Sequence, residues 1–432
     1  MKNRIKQYLL AASMCVGLTA CSDFFEPIPG VQFGLDETFA SKQRTEEYLN
    51  NVYSYVREVT DAIHPNTYGG IFTEASLDGA NRWNKTYAEW TNGSFNSASA
   101  QASEYFSKYY QAIAKASTFI QNVDKCTEAA ASTRGKWKSE ARALRAYYYF
   151  ELLRLYGPIP LIGEDPIPLD ASLEELIKER NSVDECVNFI ATELQSAIDS
   201  GDLLQRAGKA NLGRMDVATC MALKAKLYLY WASPLFNGNT DQASVKNKDG
   251  KQLFPQTEDH SKWTQTRDAY ERFMTFAAGQ GYKLTEVYTN GKLDPYASCR
   301  AAGEFFTTTW EAVDELIFVK LRDLYDYTYW VCPKFTDFQD TDVTGGGGYY
   351  TTQETVDLFF TKDGLTIEED PGYDKFEGIP GANNFTSGRY YDPNNPSRLY
   401  FDADKSKVLK QWKDREPRFY VNITYSGSIW LN

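Results

Sequence analysis

The sequence has few of the residues on which most catalytic and metal sites depend. It contains only two histidines, His64 and His260, and each lies in a polar, turn-like stretch without a second ligand at metal spacing. Zinc sites and histidine-activated nucleophiles are therefore not expected. A glycine run at residues 345–348 lacks the lysine and the serine or threonine of a phosphate-binding loop, so we interpret it as a flexible loop. We predict no catalytic residue, no metal and no cofactor.

Cysteines are also few, and their spacing is irregular. Five of them follow Cys21, and no two are as close as in a C-x-x-C motif. Cys186 and Cys220 lie in helical patterns where alanine would serve, so we expect small buried side chains there. An oxidising compartment would allow a disulfide, but the spacing assigns no pair. The five are Cys126, Cys186, Cys220, Cys299 and Cys332.

Basic residues are outnumbered, and long apolar runs are missing. The chain has 46 basic and 58 acidic residues, a net charge of −12. Such a surface repels nucleic acid and anionic lipid headgroups. With 42% hydrophobic residues, a mean hydropathy of −0.50 and no apolar run of membrane-spanning length after the N-terminus, a large water-soluble fold is expected.

The first 20 residues have the pattern of an export signal. Three basic residues precede an apolar core at residues 8–18, which is too short to cross a bilayer. Leu18, Thr19 and Ala20 then lead into Cys21 as in a bacterial lipobox, which predicts cleavage before Cys21 and acylation of its thiol. The alternative is an ordinary secretory signal with a chance cysteine. Loss of these residues leaves 43 basic and 58 acidic residues, a net charge of −15.

The most informative segment is residues 138–163, KSEARALRAYYYFELLRLYGPIPLIG. Apolar residues recur at helical spacing on two faces, so we expect a helix buried between neighbours. Gly157 can take the left-handed conformation that ends a helix, and Pro158 prevents another turn. The two faces are Ala141, Leu144, Tyr148, Leu152 and Leu155, and Ala143, Ala146, Phe150 and Leu153.

The amino-acid sequence of this segment, EARALRAYYYFELLRLYGPIPLI, resembles the signature helix of the RagB/SusD family of nutrient-binding outer-membrane lipoproteins of Bacteroidetes. Five other stretches resemble the same family in the expected order, from Cys21 to about Asn432. They are CSDFFEPIP, RNSVDECVNFIATEL, GRMDVATCMALKAKLYLYWASPLFNG, TQETVDLFFTKDG and REPRFYVNI. The acidic residues Asp23 and Glu26 resemble a signal that sorts such lipoproteins to the cell surface. The resemblance implies a lipid anchor in the outer membrane, on its extracellular side.

Helical periodicity dominates the first half of the chain. We predict helices near residues 38–59, 103–123, 136–156, 182–200, 214–232 and 262–278. From about residue 282 the pattern changes to turns, short β-prone runs and aromatic residues, and residues 370–396 are interpreted as a loop. The expected organisation is a signal peptide at 1–20 and one domain at 21–432, helical over about 36–280 and loop-rich over about 281–432.

The family resemblance implies a mainly α fold with a tetratricopeptide-like scaffold of helical hairpins and a loop-rich, aromatic-rich ligand-binding portion. Small side chains on one face of residues 214–232 and bulky ones on another fit such stacking. Family members usually continue past the REPRF-like stretch with more helices. The chain therefore resembles a member shortened at its C-terminus, with the faces of earlier helices left partly uncovered.

Aromatic residues, at 15% of the chain, are the positive functional signal. Residues 76–96 and 324–338 place rings among polar groups in loop-like stretches, where burial in a helical core does not explain them. Aromatic faces stack on sugar rings while amides, carboxylates and guanidinium groups bind hydroxyls. The alternative is that these rings pack beneath the loops. The candidate ligand-binding residues are Asp78, Asn81, Arg82, Trp83, Tyr87, Trp90 and Asn92 in the first segment and Tyr327, Tyr329 and Trp330 in the second.

Three functions are compatible with these patterns. The resemblance favours a non-enzymatic protein that captures oligosaccharides and passes them to a TonB-dependent transporter, with peptides as an alternative ligand class. A surface glycosidase would need two carboxylates roughly 5–10 Å apart, such as Glu368 and Asp370, although a solvated surface explains these two residues better. A helical interaction scaffold without a small ligand is the third.

Overall fold

The computed structural model describes residues 34–57, 76, 79–81, 89, 93–168, 171–303, 314–320, 349–376 and 380–429. The fold is mainly α, as predicted. The helices of the first two thirds are α1 (Leu35–Ala40), α2 (Lys42–Tyr53), α3 (Ala100–Asn122), α4 (Ala131–Tyr156), the single turn α5 (Leu173–Leu176), α6 (Val183–Asp199), α7 (Val217–Ala232) and α8 (Ser261–Gly279).

The prediction of one continuous helix over residues 38–59 is wrong. Ser41 has an extended backbone, with φ −96° and ψ 130°, and it separates α1 from α2, which ends at Tyr53. The break leaves the first N–H groups of α2 without helical partners. Glu128 supplies one of these partners, since its carboxylate accepts a hydrogen bond from the Lys42 N–H at 2.8 Å.

Helix α4 lies at the centre of the helical region, as its two apolar faces predict. Of the nine residues on these faces only Leu155 is partly exposed. Tyr148 and Tyr149 are fully buried, and their hydroxyl groups bind the backbone at Val52 and Ile162 respectively. Gly157 ends the helix with φ +68°, and a Cβ at this position would lie 3.0 Å from the Phe254 ring.

The helices pack mainly against their neighbours along the chain. Helix α3 packs on α4, α4 on α6, α6 on α7 and α7 on α8. Each helix therefore buries its apolar face against the next, which is how stacked helical hairpins build a continuous core. The buried thiols of Cys186 and Cys220 lie in this core, as predicted.

Of the described strands, the first precedes α3, and the others follow α8 together with turns and short helices. The described elements are β1 (Ala80–Asn81), β2 (Tyr288–Thr289), β3 (Lys292–Leu293), α9 (Pro295–Gly303), β4 (Tyr349–Tyr350), α10 (Gln353–Asp357), β5 (Phe385–Thr386), β6 (Arg389–Asp392), β7 (Asn395–Asp402), β8 (Val408–Leu409) and α11 (Pro417–Asn422). The strands pair antiparallel as β1 with β4, β2 with β3, β5 with β8 and β6 with β7.

The interpretation of residues 370–396 as a loop is wrong in its second half. Strands β6 and β7 form a hairpin in which Tyr390 opposes Phe401. Its tight turn follows Asp392, whose carboxylate accepts a hydrogen bond from the Asn394 N–H at 2.8 Å. Because β6 has only four residues and leads directly into a Pro-Asn turn, its sequence shows turn chemistry more clearly than strand alternation.

A salt-bridge cluster attaches this hairpin to α9. Arg398 binds both carboxylate oxygens of Asp294 at 2.9 Å and one of Asp392 at 2.6 Å. Its guanidinium also lies 4.2 Å from the centre of the Tyr296 ring. These contacts fix the C-terminal hairpin to the element that follows the helical stack.

Among the described residues no helix is both long and apolar enough to cross a membrane. The predicted signal peptide, Cys21, His64, Cys332 and the glycine run at 345–348 lie outside the described residues.

Candidate functional site

The two predicted aromatic segments are only partly described. Asn81 is the one candidate residue whose backbone the structure places, and the others, Asp78, Arg82, Trp83, Tyr87, Trp90, Asn92, Tyr327, Tyr329 and Trp330, lie outside the described residues. Asn81 opposes Tyr349 and Ala80 opposes Tyr350 in the β1–β4 pair. The chain of the first segment therefore runs beside the chain that follows the second segment, although the two are far apart in sequence.

An aromatic group lies at the start of α3, just after the first segment ends. Phe106 is 39% exposed, and its ring centre lies 4.7 Å from that of Tyr110 and 5.3 Å from that of Tyr156. The hydroxyl of Tyr110 donates to the Pro160 carbonyl at 2.7 Å, and that of Tyr156 donates to the Ala102 carbonyl at 2.8 Å. These hydrogen bonds hold the rings of Tyr110 and Tyr156 in place. The Phe106 ring beside them is a partly exposed apolar surface.

Glu89 is a residue of the first segment that sequence reasoning missed. Its Oε2 atom is shielded from solvent and has no hydrogen-bond partner in the structure's described part. A shielded carboxylate oxygen is costly unless a donor meets it. A ligand hydroxyl is one donor of the required kind.

A pocket of about 410 Å³ opens in the C-terminal part of the chain. This volume lies within the range of about 300–1,000 Å³ that is usual for small-molecule sites. Its wall combines aromatic, amide and charged side chains from three separate stretches of sequence. The lining residues are Gln353, Asp357, Tyr373, Lys375, Phe376, Pro380, Leu409, Gln411 and Trp412.

Helix α10 supplies two polar groups to this pocket. Gln353 and Asp357 are four positions apart, so they share one face of the helix. The Gln353 amide donates to the Asp357 carboxylate at 2.7 Å. Thr352 caps the helix by accepting a hydrogen bond from the Thr355 N–H at 3.2 Å.

Tyr373 forms an aromatic wall that Arg415 holds from behind. Its hydroxyl donates to the Gln411 carbonyl at 2.6 Å and accepts from Arg415 at 2.5 Å. Burial raises the pKa of Tyr373, while the Arg415 charge opposes this shift. The hydroxyl therefore stays neutral and fixed at physiological pH.

Arg415, the first residue of the REPRF-like stretch, is only 2% exposed. Besides Tyr373, it binds the carbonyl groups of Val356 and Phe359, the latter at 2.9 Å. These carbonyls belong to the end of α10, where helical partners run out. One buried guanidinium thus fixes both α10 and Tyr373, two sides of the pocket.

Gln411 and Trp412 add hydrogen-bonding groups to the pocket wall. Gln411 is 8% exposed and carries a side-chain amide. Trp412 carries an indole N–H, and its ring is held 5.7 Å from that of Phe419 and 5.8 Å from that of Tyr425. Both groups lie along the pocket, and no sequence pattern pointed to either.

The carboxylates proposed for a glycosidase do not form a shielded pair. The Glu368 side chain is 62% exposed and pairs with Lys375 at 3.2 Å. Asp370 accepts a hydrogen bond from the Gly372 N–H at 2.8 Å. Neither environment resembles the desolvated pocket that keeps a general acid protonated. Solvated surface, the interpretation favoured from sequence, describes Glu368 correctly.

The buried carboxylates of the helical core are engaged with arginines. Glu193 binds Arg145 at 2.5 Å, and Glu140 binds Arg214 at 3.1 Å. Burial raises the pKa of Glu140, while Arg214 opposes the shift. These pairs join α4 to α6 and to the start of α7, which is a structural role. Within the described ranges no group of three or more histidine, cysteine, aspartate or glutamate side chains is placed to hold a metal ion.

Comparisons with known proteins match most of the chain. A family model described as starch-binding and associating with the outer membrane matches residues 32–229, and a model of the SusD family matches residues 315–432. A SusD-like protein of Bacteroides ovatus is 27% identical over 175 residues, which make up 39% of this chain and 30% of that protein.

Solved structures share the fold at low sequence identity. The structure of BT4246 has a TM-score of 0.68 and 24% identity, over 88% of this chain and 64% of that one. A SusD-like carbohydrate-binding protein of Bacteroides fragilis NCTC 9343 has a TM-score of 0.53 and 17% identity, over 78% of this chain and 57% of that one. The chain thus spans less than two thirds of the length of these relatives.

Proposed function

Because the chain belongs to the SusD/RagB family, we propose that it is a lipid-anchored outer-membrane protein that binds oligosaccharides and delivers them to a TonB-dependent transporter. The observation that carries this proposal is the match of residues 32–229 to a family model described as starch-binding. The fold shared with a carbohydrate-binding protein of Bacteroides fragilis supports the same ligand class.

The chemistry of the described residues fits binding without reaction. SusD-like relatives are named for carbohydrate binding and not for catalysis. Capture needs shape, aromatic faces and hydrogen-bonding groups, whereas glycoside hydrolysis needs two carboxylates with divergent pKa values. The described acidic residues near the pocket do not supply a shielded pair of that kind.

We place the ligand at the aromatic segments around residues 76–96 and 324–338. The β1–β4 pair supports this, since it sets the chain of the first segment beside the chain that follows the second. Calorimetric titration with a panel of oligosaccharides and peptides tests the site in wild type and in Trp83→Ala and Trp90→Ala. We expect each change to weaken sugar binding at least about tenfold, because each removes a large aromatic surface.

The matched control for these variants is Trp263→Ala. Trp263 is also a partly exposed tryptophan, but it lies on α8 in the helical stack. Its loss should leave affinity unchanged. Equal affinity of all four proteins would move the ligand away from the aromatic segments, binding of peptides alone would change the ligand class, and a protein that binds neither panel would be a scaffold.

The membrane anchor is tested at Cys21. Growth of the native host with an alkyne-labelled fatty acid should label the wild-type protein, and Cys21→Ala should abolish the label and release the protein from the membrane fraction. Retention of the Cys21→Ala protein in the outer membrane without label would contradict lipid anchoring. Copurification with a TonB-dependent transporter from the same membranes tests the partner, and repeated purification without any such transporter would contradict it.

A further inference from the structure

We propose that the pocket lined by Gln353, Asp357, Tyr373, Gln411 and Trp412 is a second binding site, for a neutral sugar unit, built from residues outside the two aromatic segments. The described residues that line this pocket all come from outside the two aromatic segments. The sugar class of its ligand rests on the proposed function, whereas the position of the site rests on the lining alone.

The polar groups of the pocket wall are the first evidence for a ligand. Small-molecule sites combine aromatic surface with a few polar groups that fix the orientation of the ligand. Gln411 is 8% exposed and lines a cavity large enough to hold a ligand, and its side-chain amide is a polar group of this kind. Together with the Trp412 indole N–H it offers donors and an acceptor that hydroxyl groups can satisfy.

The rigidity of the pocket wall is the second piece of evidence for a ligand. Tyr373 is fixed through its hydroxyl by Gln411 and Arg415, and the Trp412 ring is fixed against Phe419. The Trp412 carbonyl is fixed as well, since it accepts the Tyr420 hydroxyl at 2.9 Å. Aromatic faces held in place this way bind an apolar sugar face without losing conformational freedom on binding.

The charges of the lining indicate a neutral ligand. Asp357 and Lys375 carry opposite charges, so the pocket as a whole favours neither anions nor cations. Lys375 also pairs with Glu368, which lowers its attraction for an anion. The Asp357 carboxylate accepts one hydrogen bond from Gln353 and retains acceptor positions for hydroxyl groups. A neutral oligosaccharide satisfies all of these groups, whereas an acidic sugar or a charged peptide terminus would meet an opposing carboxylate or ammonium group.

Fluorine NMR of the full chain labelled with 5-fluorotryptophan tests this site directly. Trp412→Phe identifies the Trp412 resonance by its loss and preserves the ring contacts of the pocket. We expect a neutral oligosaccharide to shift the Trp412 resonance in the Trp83→Ala/Trp90→Ala background, where the first site is disabled. A Trp412 resonance that stays fixed at saturating concentrations of every neutral sugar that binds wild type would overturn the second site.

Calorimetry in the same background measures the role of the Gln411 amide. Gln411→Met keeps the length of the side chain but removes its hydrogen bonds, so the residual affinity should fall about 5- to 10-fold. Gln265→Met, on the exposed face of α8, is the matched control and should have no effect. If Gln411→Met lowers the melting temperature, Gln353→Ala provides a second test of the pocket, because Gln353 is exposed and its loss should not disturb the fold. Equal affinities of all these variants would contradict the proposal.

The outcomes separate the two sites. Loss of binding in Trp83→Ala together with an unshifted Trp412 resonance would refute the second site alone. A shifted Trp412 resonance with unchanged affinity in Trp83→Ala and Trp90→Ala would support the pocket and refute the placement of the first site. A peptide or an acidic sugar that shifts Trp412 while neutral sugars do not would overturn the proposed ligand class.

Discussion

Arg415 differs in the groups that it binds from Arg145, the other buried arginine among the described residues. Arg145 is matched by the Glu193 carboxylate, whereas Arg415 is surrounded by backbone carbonyls and a tyrosine hydroxyl. A guanidinium can bind three such acceptors at once because its donors form a planar fork. Its place in the REPRF-like stretch therefore has a structural explanation, which is to hold α10 and Tyr373 around the pocket.

Replacement of this arginine should destabilise the fold. Arg415→Met leaves the Val356 and Phe359 carbonyls and the Tyr373 hydroxyl with fewer partners, so we expect a loss of about 2–3 kcal/mol in the free energy of unfolding. Urea denaturation measures this change. Arg418→Met, three residues away, removes only a surface pair with Glu416 and should cost less than about 1 kcal/mol. Equal losses in the two variants would show that Arg415 does not fix the pocket.

The Asp294 and Arg398 pair should make stability depend on pH in the acid range. The hydrogen bonds from Arg398 lower the pKa of Asp294 to about 2, against about 3.9 for an unfolded aspartate. The stabilisation is therefore fully present above about pH 4 and is lost as the pH falls toward 2. As the pH is lowered from 6 to 2, the melting temperature should fall less steeply in Asp294→Asn than in wild type. Asp241→Asn, at an exposed site, should keep the slope of wild type.

At the scale of elements, the helices could be predicted because each carries its own signal. The two apolar faces of α4 and its Gly-Pro end are local features, and the structure confirms them. The break at Ser41 could not be predicted, since Glu128, a residue distant in sequence, stabilises it. The β6–β7 hairpin was not predicted because β6 has only four residues, too few to show the alternation of apolar and polar residues that is typical of a strand.

The pocket could not be predicted for a related reason. Gln353, Tyr373 and Gln411 come from separate stretches, and Gln411 lies in a single 3-10 turn, Lys410–Trp412, without periodicity. Only tertiary packing through Arg415 brings them together. The aromatic segments, in contrast, stood out by composition and by family resemblance, and their contacts to ligand stay a prediction.

The start of α6 provides a test of an element that was recognised from sequence. Ser182 and Glu185 form a capping box, in which the Ser182 hydroxyl accepts from the Glu185 N–H at 3.3 Å and the Glu185 carboxylate accepts from the Ser182 N–H at 2.7 Å. Ser182→Ala should lower the free energy of unfolding by about 0.5–2 kcal/mol in urea denaturation. Thr192→Ala, exposed in the middle of α6, should change it by less than about 0.5 kcal/mol. A loss in Thr192→Ala as large as that in Ser182→Ala would contradict this role.

The core of the helical stack supplies a second test at this scale. Leu152 is fully buried in α4, and Leu152→Ala should destabilise the protein by about 2–5 kcal/mol because it leaves a cavity. Leu173 is 72% exposed on α5, so Leu173→Ala is the matched control and should be close to neutral. Thermal unfolding of both variants decides whether α4 is the central helix of the stack.

At the scale of the whole molecule, the helical stack and the loop-rich part have different roles. Buried ion pairs and aromatic packing make the stack rigid, and the described polar and aromatic groups that line the pocket lie in the loop-rich part. The net negative charge of the chain disfavours nucleic acid and acidic ligands, in agreement with a neutral glycan. Capture of such a ligand requires no reaction at any described residue.

The most direct test of this account is calorimetric titration of the wild-type protein with neutral oligosaccharides, followed by mass spectrometry of the recovered sugars. We expect saturable binding of at least one sugar and recovery of that sugar at its original mass. Absence of binding across the whole panel, or the appearance of shorter sugars that depend on the protein, would contradict it.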